Sequence, residues 1–519
     1  MKAIAELVAQ ERLLALDEDA LADVKRQEPA LLGGAGAAAG IYRRSLYRGE
    51  GVLYCMARAA GAKGLYAFSV ARTTTPFGAL EASGVDGVFG RRMDLTPETA
   101  RILGELFPFT RPRSLRAERT TIGMGDRLGV ASAGHIRAAR RYRCYPVLAQ
   151  QSLRELDYTG RSFADVVADA SFAVFEEGYE DGFGADADHM KTIEAIDVAL
   201  GEHMPMITLD LTEVLNPAAA DWTAAELLER WGGVDAALRE RLERDYLDVP
   251  YTAGGATLTL DRHELARCWF LYGEALDFAK TVNEHLKEQT GDAYDLEISI
   301  DETTTPTLPE HHLFIARELE VRGVTVNSLA PRFIGDFQKA IDYIGDVEEF
   351  DRQFAVHCAI AQAFGGYKIS VHSGSDKFAV YPSVGRHTER RLHLKTSGTS
   401  WLEALRAVAM RHPELYRLIH RKTYTYYPEA LKNYHITADA GGVRPLEEVP
   451  DEELPSFLED PNWRQFLHIS YGGLLGDPEV REPFYAFLYE NEELYYELLE
   501  AHFDKHIGLL GIEPSGSSR

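Results

Sequence analysis

Cysteine is scarce in this chain, and long apolar runs are missing. The 519 residues include only Cys55, Cys144, Cys268 and Cys358, without a Cys-x-x-Cys pair. This spacing argues against a disulfide framework or a thiolate zinc site and favours free thiols in a reducing cytoplasm. The longest soft stretch, residues 30–42, is too short and too rich in glycine to cross a bilayer. We therefore expect no membrane partner.

Positive charge is also in short supply. Lysine and arginine number 55 against 81 aspartates and glutamates, which gives a formal charge of −26. Such acidity argues against nucleic acid as a partner, although a local basic pocket would still accept a small anion. Neither a Gly-x-Gly-x-x-Gly nor a phosphate-loop motif is present, so nucleotide binding has no support. The composition leaves a homo-oligomer open.

Short β-type runs recur from residue 120 onward, each ending in a polar cluster. Helical patterns separate most of them, and such alternation is typical of right-handed βαβ units and a parallel sheet. The runs are 120–126, 145–151, 182–189, 206–213, 296–303, 324–330, 367–375 and 391–398. Eight units predict a closed (β/α)₈ barrel, which needs roughly 250 residues plus insertions. An open, doubly wound sheet is the alternative, because these runs are more polar than is usual for parallel strands.

The remaining segments predict three additions to the barrel. Residues 1–118 contain short strands and helices and are interpreted as an α+β region that packs on the barrel. Residues 119–435 form the predicted catalytic barrel. Its fourth and fifth strands are separated by the strongly helical residues 214–295, which we interpret as a helical insertion. Residues 436–519 are interpreted as a helical C-terminal extension.

Polar residues cluster where the predicted strands end. In a (β/α)₈ barrel these carboxyl ends open on one face, and several strands contribute catalytic groups. The rule selects Asp126, Arg127, His189, Asp210, Glu302, Arg332, His372, Lys377 and Lys395. The set combines carboxylates, imidazoles and cations, so we expect acid/base or metal chemistry at this face.

Histidines end two of the predicted strands. His189 follows GFGADAD, and His372 follows YKISV and precedes a loop of glycine and serine that suits close substrate approach. With one carboxylate they would form an N/O ligand set for a divalent cation, and Asp210 is a candidate for the third ligand. The alternative is that each histidine is hydrogen-bonded and merely ends a strand.

Two carboxylates are candidates for the acid and the base. Asp126 in GMGDRLG follows Gly125, which leaves room around the Asp-Arg pair; the alternative is a structural ion pair with Arg127. Glu302 in SIDETTTP lies nearer the strand end than Asp301. Neighbouring strand residues point to opposite sides, so we expect one of the two to face the barrel and select Glu302.

Lys395 occupies a position that suits anion binding. It ends the last predicted strand and precedes a loop of small residues and then a helix start. Backbone N–H groups at a helix N-terminus attract carboxylates and phosphates, so this segment is a candidate anion site. The alternative is a solvated lysine.

Six ordered blocks carry a family resemblance. They are GMGDRLG, GADADHMKT, SIDETTTPT, LAPRFIGDF, KISVHSGSDKF and HLKTSGTSW. Over most of residues 60–440 the chain resembles the tagaturonate epimerase family. The resemblance implies a cytoplasmic, metal-dependent isomerase that interconverts D-tagaturonate and D-fructuronate, two sugar acids, in hexuronate catabolism. It implies Asp126 as base, Glu302 as acid, and His189 and His372 as ligands of a divalent cation, with Zn, Mn, Fe, Co and Ni all admissible.

The implied reaction inverts the fourth carbon of a ketose, which lies β to the carbonyl. Two routes remain open: retro-aldol cleavage of the C3–C4 bond with closure on the other face, or migration of the carbonyl before proton removal. Both need a Lewis acid and acid/base groups. Gly125 and Arg127 are candidate substrate contacts, and Lys395, Lys377 or Arg332 would hold the substrate carboxylate. Alternative functions are a metal-dependent sugar isomerase or aldolase on a related sugar acid, and a non-catalytic carbohydrate-binding protein.

Overall fold

A closed barrel of eight parallel strands forms the centre of the computed structural model, which describes residues 1–33, 38–303 and 305–516. Barrel strands 1 to 8 are Thr120–Met124, Tyr145–Ser152, Gly184–Met190, Met206–Asp210, Asp295–Ile300, Ser328–Pro331, Lys368–Val371 and Leu392–Thr396. Strand 8 closes the barrel by pairing with strand 1, where His393 lies opposite Thr121. The predicted (β/α)₈ barrel is confirmed, and the open sheet is excluded.

The barrel interior is unusually polar. Asp186, Thr208, Glu297 and His393 are all buried within the strands. Hydrogen bonds connect most of these groups to one another or to their neighbours: the Thr208 hydroxyl donates to Asp186 (2.8 Å), and the Ser328 hydroxyl donates to Glu297 (2.6 Å). Buried polar groups are tolerated when they are paired in this way. This network explains why the strands lack the continuous apolar runs of most parallel sheets.

Helices surround the barrel and carry most of the apolar packing. Those that follow strands 1 to 3 are Ser132–Ala139, Leu153–Thr159, Phe163–Glu177 and Ile193–Gly201, and those that follow strands 5 to 8 are Pro309–Val321, Val347–Ala363, Tyr381–His387 and Thr399–Arg411. Phe163–Glu177 shows how the sequence sets their limits. Ser162 and Asp165 form a capping box at its start, and Gly178 ends it with a positive φ of 55°.

The segment between barrel strands 4 and 5 is largely helical. It contains Ala218–Asp221, Ala224–Gly232, Ala236–Tyr246, the hairpin strands Tyr251–Ala253 and Ala256–Leu258, and the helix Arg262–Thr290. The last of these has 29 residues, and the side chain of Asp261, the residue before it, caps two of its backbone N–H groups. It packs on the neighbouring barrel helix Pro309–Val321 and so returns the chain to strand 5.

The N-terminal region combines helices with an antiparallel sheet. Among the described residues its helices are Lys2–Gln10, Glu18–Lys25 and Pro97–Leu106, with 3₁₀ turns at Leu13–Ala15, Arg43–Ser45 and Pro108–Thr110. Its strands are Leu31–Leu32, Ala39–Tyr42, Tyr47–Gly49, Val52–Ala59, Ala62–Ser69, Thr74–Thr75, Gly78–Ala79, Glu81–Val85 and Val88–Met93. Phe172 and Phe175 of a barrel helix share the apolar core on one face of this sheet, which therefore lies against the barrel.

The C-terminal region is helical and contacts both the barrel and the N-terminal sheet. Its helices are Pro413–Ala430, Pro461–Ile469, Tyr471–Gly476, Pro478–Glu490 and Glu492–Leu509, with 3₁₀ segments Leu431–Asn433, Ala440–Gly442, Leu446–Glu448 and Asp451–Glu459. They share an apolar core with barrel helix Thr399–Arg411. Glu492 accepts hydrogen bonds from Tyr42 (2.8 Å) and Arg58 (2.9 Å) of the N-terminal sheet. The last helix therefore clamps the sheet to the barrel.

The predicted domain limits stay predictions. Residue 119 immediately precedes barrel strand 1, and residue 435 follows the 3₁₀ segment Leu431–Asn433. Residues 34–37 of the soft stretch 30–42 lie outside the described residues. Within the described ranges, none of the helices combines the length and the apolar character that a membrane crossing requires.

Candidate active site

A cavity of about 270 Å³ opens at the carboxyl ends of the barrel strands. Its wall combines residues from strand ends with others from the C-terminal region. Of the residues predicted for this site, the following six line the cavity: Arg127, His189, Glu302, Arg332, His372 and Lys395. Barrel closure therefore brings together the two predicted histidines and one of the two predicted acid/base carboxylates.

His189, His372 and Asp301 form a compact group at the floor of this cavity. One potential ligand atom from each lies within 4.8 Å of the other two. His372 Nδ1 lies 2.9 Å from Asp301 Oδ1. Burial by itself lowers the pKa of His372, but the charges of Asp301 and Glu297 outweigh it and raise the pKa to about 9. The carboxylates therefore make this end of the cavity strongly attractive to a cation.

A local irregularity in barrel strand 3 turns His189 into the cavity. The register against strand 4 shifts between Ala187 and Met190, and His189 has a left-handed φ of 56°. A bulge of this kind lets consecutive residues point to one side of the sheet. Asp188 and His189 accordingly both line the cavity.

Asp210 lies beneath His189 rather than on the cavity wall. Its Oδ2 is 3.3 Å from His189 Nδ1, and its Oδ1 accepts hydrogen bonds from the backbone and hydroxyl of Thr212. His189, Asp210 and Glu302 form a second group whose potential ligand atoms lie within 4.8 Å of one another. Asp210 is therefore close enough to share His189 with a ligand set, or to orient it from behind.

Lys395 is surrounded by carboxylates. Its Nζ lies 2.5 Å from Asp188, 2.7 Å from Asp186 and 3.0 Å from Glu297. Burial raises the pKa of Asp186 to about 6, against the opposing attraction of Lys395. An ammonium held by three carboxylates has little capacity left for a substrate anion. Lys395 is thus an ion-pair partner of the carboxylates in the cavity, and its predicted role in anion binding gains no support.

The donor set passes a test for a bound cation. His372 Nε2 lies 2.6 Å from Glu297 Oε1, so in the neutral ring the proton is held on Nε2 and the lone pair of Nδ1 is available to a cation. His372 Nδ1, His189 Nδ1 and Asp210 Oδ2 are all buried. Apart from the contacts of His372 with Asp301 and of His189 with Asp210 given above, they form no hydrogen bond with the described residues. Buried atoms of this kind are costly unless something binds them. Imidazole and carboxylate are ligands that divalent transition metals accept.

The structure places Asp126 away from the cavity, in the turn that follows barrel strand 1. Its Oδ1 accepts hydrogen bonds from the backbone N–H groups of Leu128 and Gly129, and its Oδ2 accepts them from Ala131 and Ser132. Both oxygens are thus used by the backbone at the start of helix Ser132–Ala139. This geometry gives Asp126 the task of shaping the turn, and its predicted role as base gains no support.

The same turn delivers Arg127 to the cavity. Arg127 Nε and Nη2 donate to Glu155 Oε1 at 2.9 and 2.5 Å, so the predicted pairing with Asp126 is replaced by one with Glu155. Gly125 does not line the cavity. A Cβ on Gly125 would lie 2.7 Å from the backbone oxygen of Gln150, so glycine is needed for close packing of the strand ends.

Lys377 and Arg332 differ in their access to the cavity. Lys377 is fully buried outside it, and its Nζ donates to the backbone oxygens of Gln338, Ile341 and Ser375 at 2.6–2.9 Å. Lys377 therefore holds two loops together and is not placed to bind substrate. Arg332 lines the cavity and donates to the backbone oxygen of Thr303.

Sequence reasoning missed several residues of the cavity. Asp301 lines it together with Glu302, because strand 5 ends at Ile300 and alternation no longer holds beyond that point. Arg154, Lys339 and His468 line it as well, from a short helix, a loop and the C-terminal region. In the sequence, only the charged Glu297 in the middle of a strand pointed to the polar network inside the barrel.

Comparison with known proteins identifies the family. A family model described as tagaturonate epimerase matches residues 42–510. The chain belongs to the tagaturonate epimerase family. A curated relative from Thermotoga maritima, the tagaturonate/fructuronate epimerase, is 41% identical over 430 residues, which cover 83% of this chain and 88% of the relative.

Solved structures agree with this assignment. The native fructuronate-tagaturonate epimerase of Cohnella laeviribosi superposes with a TM-score of 0.87 at 42% identity, covering 92% of this chain and 97% of that one. Its complex with one glycerol gives the same TM-score at 41% identity, covering 96% and 100%. The predicted enzyme class, a carbohydrate epimerase, is thereby confirmed for this member of the tagaturonate epimerase family.

Proposed function

We propose that this enzyme interconverts D-tagaturonate and D-fructuronate by inverting the fourth carbon, with a divalent cation in the barrel mouth, and that it does so in the cytoplasm. Family membership supports the substrate pair. The observation that carries the metal is the convergence of His189, His372 and Asp301, whose potential ligand atoms lie within 4.8 Å of one another. The surrounding carboxylates supply the negative charge that such a cation would neutralise.

Four residues of the chain would hold and orient the cation. His189, His372 and Asp301 would be ligands, and Asp210 would either complete the set or orient His189. Glu297 fixes the tautomer of His372 by accepting a hydrogen bond from its Nε2–H group, with 2.6 Å between Nε2 and Oε1. A divalent cation at this position acts as a Lewis acid that polarises a carbonyl oxygen. Zn, Mn, Fe, Co and Ni all accept this ligand set.

Glu302 is the proposed proton carrier. It lines the cavity, and within the described ranges it forms no hydrogen bond or ion pair, so its carboxylate is free to meet a hydroxyl group. In the retro-aldol route Glu302 removes the proton from the hydroxyl on C4. The C3–C4 bond then breaks, its electron pair becomes part of an enediolate on C1–C3, and C4 becomes an aldehyde.

Epimerisation then requires only that the aldehyde group rotates before the bond re-forms. Rotation about the bond between C4 and C5 presents the opposite face of the aldehyde to the enediolate. The C3–C4 bond re-forms, and the new C4 oxygen recovers the proton from Glu302. No atom is gained or lost, and no nicotinamide is needed. The enclosing wall of the barrel mouth keeps both three-carbon halves together between cleavage and closure.

Incubation of metal-loaded enzyme with D-tagaturonate in deuterated water, followed by NMR, tests the proposal. We expect fructuronate without deuterium at C4, since the C4 hydrogen stays on its carbon in the retro-aldol route. We also expect activity to disappear with a chelator and to return with added metal. Deuterium at C4 would favour carbonyl migration. An aldose, stable three-carbon products, or full activity of the metal-free enzyme would contradict the proposal.

A further inference from the structure

One part of the cavity wall is cationic, and some of its residues come from the C-terminal region. Arg127, Lys339 and His468 line this part, and we call it the basic pole. Arg127 and His468 are 4% and 2% exposed, so both are held by the protein rather than by solvent. A cationic pole inside a chain of charge −26 requires an explanation.

Polar atoms of the basic pole lack partners. Arg127 uses Nε and Nη2 for Glu155, but its buried Nη1 donates to none of the described residues. Neither ring nitrogen of His468 has a hydrogen-bond partner in that part of the chain. Leaving buried donors unpaired costs free energy, so these atoms indicate a ligand with acceptor oxygens.

Gly398 shows that the unpaired groups converge. A Cβ on Gly398 would lie 2.4 Å from Arg127 Nη1 and 2.5 Å from His468 Nε2, so both atoms approach the same point. Gly398 is also the residue before helix Thr399–Arg411, which has no side-chain cap. The free N–H groups of a helix N-terminus favour an anion at that point.

The basic pole is electrostatically strained without an anion. Burial lowers the pKa of Lys339 and the neighbouring charge of Arg127 lowers it further, whereas the carboxylates of Glu302 and Glu155 oppose this shift without cancelling it. Burial likewise lowers the pKa of His468, with contributions from Arg127 and Lys339. Lys339 Nζ donates to Ser373 Oγ at 2.8 Å, which leaves two of its protons for another acceptor. An anion placed among these groups would relieve their mutual repulsion.

We infer that the basic pole binds the carboxylate of the ketohexuronate through Arg127 Nη1, Lys339 Nζ and His468, in front of the helix that starts at Thr399. The inference deepens the proposed function, on which its choice of anion rests. A carboxylate bound here keeps its distance from the carboxylates around Lys395. The substrate can then enter in one orientation only, with its ketone toward His189 and His372.

Steady-state kinetics with the holoenzyme tests this inference. The substrates are the ketohexuronate and the neutral ketohexose of the same configuration, which carries CH₂OH in place of the carboxylate. Lys339→Met and His468→Phe should raise KM for the uronate by roughly 10- to 100-fold, the range expected for lost hydrogen bonds to a charged group. Their KM for the neutral sugar should stay within about twofold, because the removed groups serve only the carboxylate.

Two further variants separate binding from folding. Gly398→Ala keeps every charged group but places a methyl group 2.1 Å from the His468 ring, and Gly398 has a φ of −66° that alanine accepts. It should raise KM for the uronate as well. His420→Phe is the matched control, since His420 is a buried histidine of the same region that does not line the cavity. It should leave both KM values unchanged.

Calorimetric titration with the uronate distinguishes the possible failures. If the variants bind the uronate more weakly but the wild type does not epimerise it, the basic pole is confirmed as a carboxylate site and the proposed function is refuted. Normal epimerisation by the wild type with unchanged KM in all three basic-pole variants would overturn the inference. Equal losses for uronate and neutral sugar would overturn it too. Competitive inhibition by inorganic phosphate as strong as by acetate would refute the choice of a carboxylate.

Discussion

The imidazole rings of His189 and His372 lie edge to face, with centroids 5.3 Å apart and planes at 80° to each other. His189 lies in barrel strand 3 and His372 directly follows strand 7, so only closure of the barrel brings them together. In this T-shaped arrangement, both imidazole rings border the same space. Asp301 lies at the same place, which makes this pair the centre of the proposed metal site.

Removing either imidazole should remove the metal. We expect His189→Gln and His372→Gln to lower metal affinity by more than about 100-fold, beyond the loss usual for residues that only support a ligand. Epimerase activity should fall in parallel. Metal content by mass spectrometry after gel filtration checks the expectation. His203→Asn, at an exposed position with φ 60° that asparagine tolerates, serves as control. Retained metal in both ligand variants would refute the site.

Replacing Glu302 should slow the reaction without affecting the metal. Glutamine has the shape of glutamate but cannot accept the proton of a hydroxyl group. We expect Glu302→Gln to lower kcat by about 10²- to 10⁴-fold, the usual range for a general base. Metal content and substrate KM should change little. Glu320→Gln, on the exposed side of helix Pro309–Val321, is the control. A kcat within about threefold of wild type would assign the proton transfer to another group.

Replacing Asp126 should destabilise the fold more than it slows the chemistry. In Asp126→Asn one of the two acceptor oxygens becomes an NH₂ group, which faces backbone N–H donors and cannot accept their hydrogen bonds. We expect a loss of about 1–3 kcal/mol in the free energy of unfolding, measured by denaturant titration. KM should rise because the turn that carries Arg127 loosens. A stable variant whose kcat alone falls by more than about 100-fold would restore Asp126 as the base.

Buried neutral histidines should make stability depend on pH. Burial lowers the pKa of His357 to about 4 and that of His420 to about 3, against 6.5 for the free side chain. At a pH between the folded and the unfolded pKa of such a histidine, the unfolded chain binds a proton and the folded chain does not. Each such histidine therefore stabilises the fold fully above pH 6.5, and that contribution is lost as pH falls, by about 1.4 kcal/mol per pH unit. Denaturant unfolding at pH 7, 6 and 5 should show this decline.

The variant His420→Phe isolates one of these groups. His420 stacks on Trp463 with centroids 3.6 Å apart, and phenylalanine preserves the stacking but cannot titrate. We expect the decline in stability between pH 7 and 5 to become shallower by about one proton's contribution. An unaltered decline in His420→Phe would show that His420 is not neutral in the folded protein.

Sequence periodicity was sufficient for the barrel and for residues at strand ends. All eight strands were predictable because each run alternates with a helix, and His189 and His372 followed because strand ends share one face. The polar interior around Glu297 was not predictable, since a charged residue within a strand has no meaning until its partners are known. Asp126 shows the same limit of sequence reasoning, because a carboxylate beside glycines fits both a catalytic base and a backbone cap; its role as base stays a prediction.

The basic pole lay beyond sequence reasoning. Lys339 lies in a loop, and His468 lies in a helix whose pattern predicts only an apolar face. Their meeting with Arg127 depends on how the C-terminal region packs over the barrel mouth. No spacing rule relates residues on separate elements of this kind. Only the folded arrangement around Gly398 reveals that they approach one point.

The clamp formed by Glu492 has a consequence for biosynthesis. Tyr42 leaves the ribosome 450 residues before its hydrogen-bond partner Glu492, and Arg58 leaves it 434 residues before Glu492. His468, which closes the barrel mouth, also emerges late. We therefore expect the nascent barrel to keep an open mouth and an undocked N-terminal sheet until translation has passed Glu492. Catalytic competence would then arise in a single late step, and the waiting intermediate would be the natural client of a chaperone.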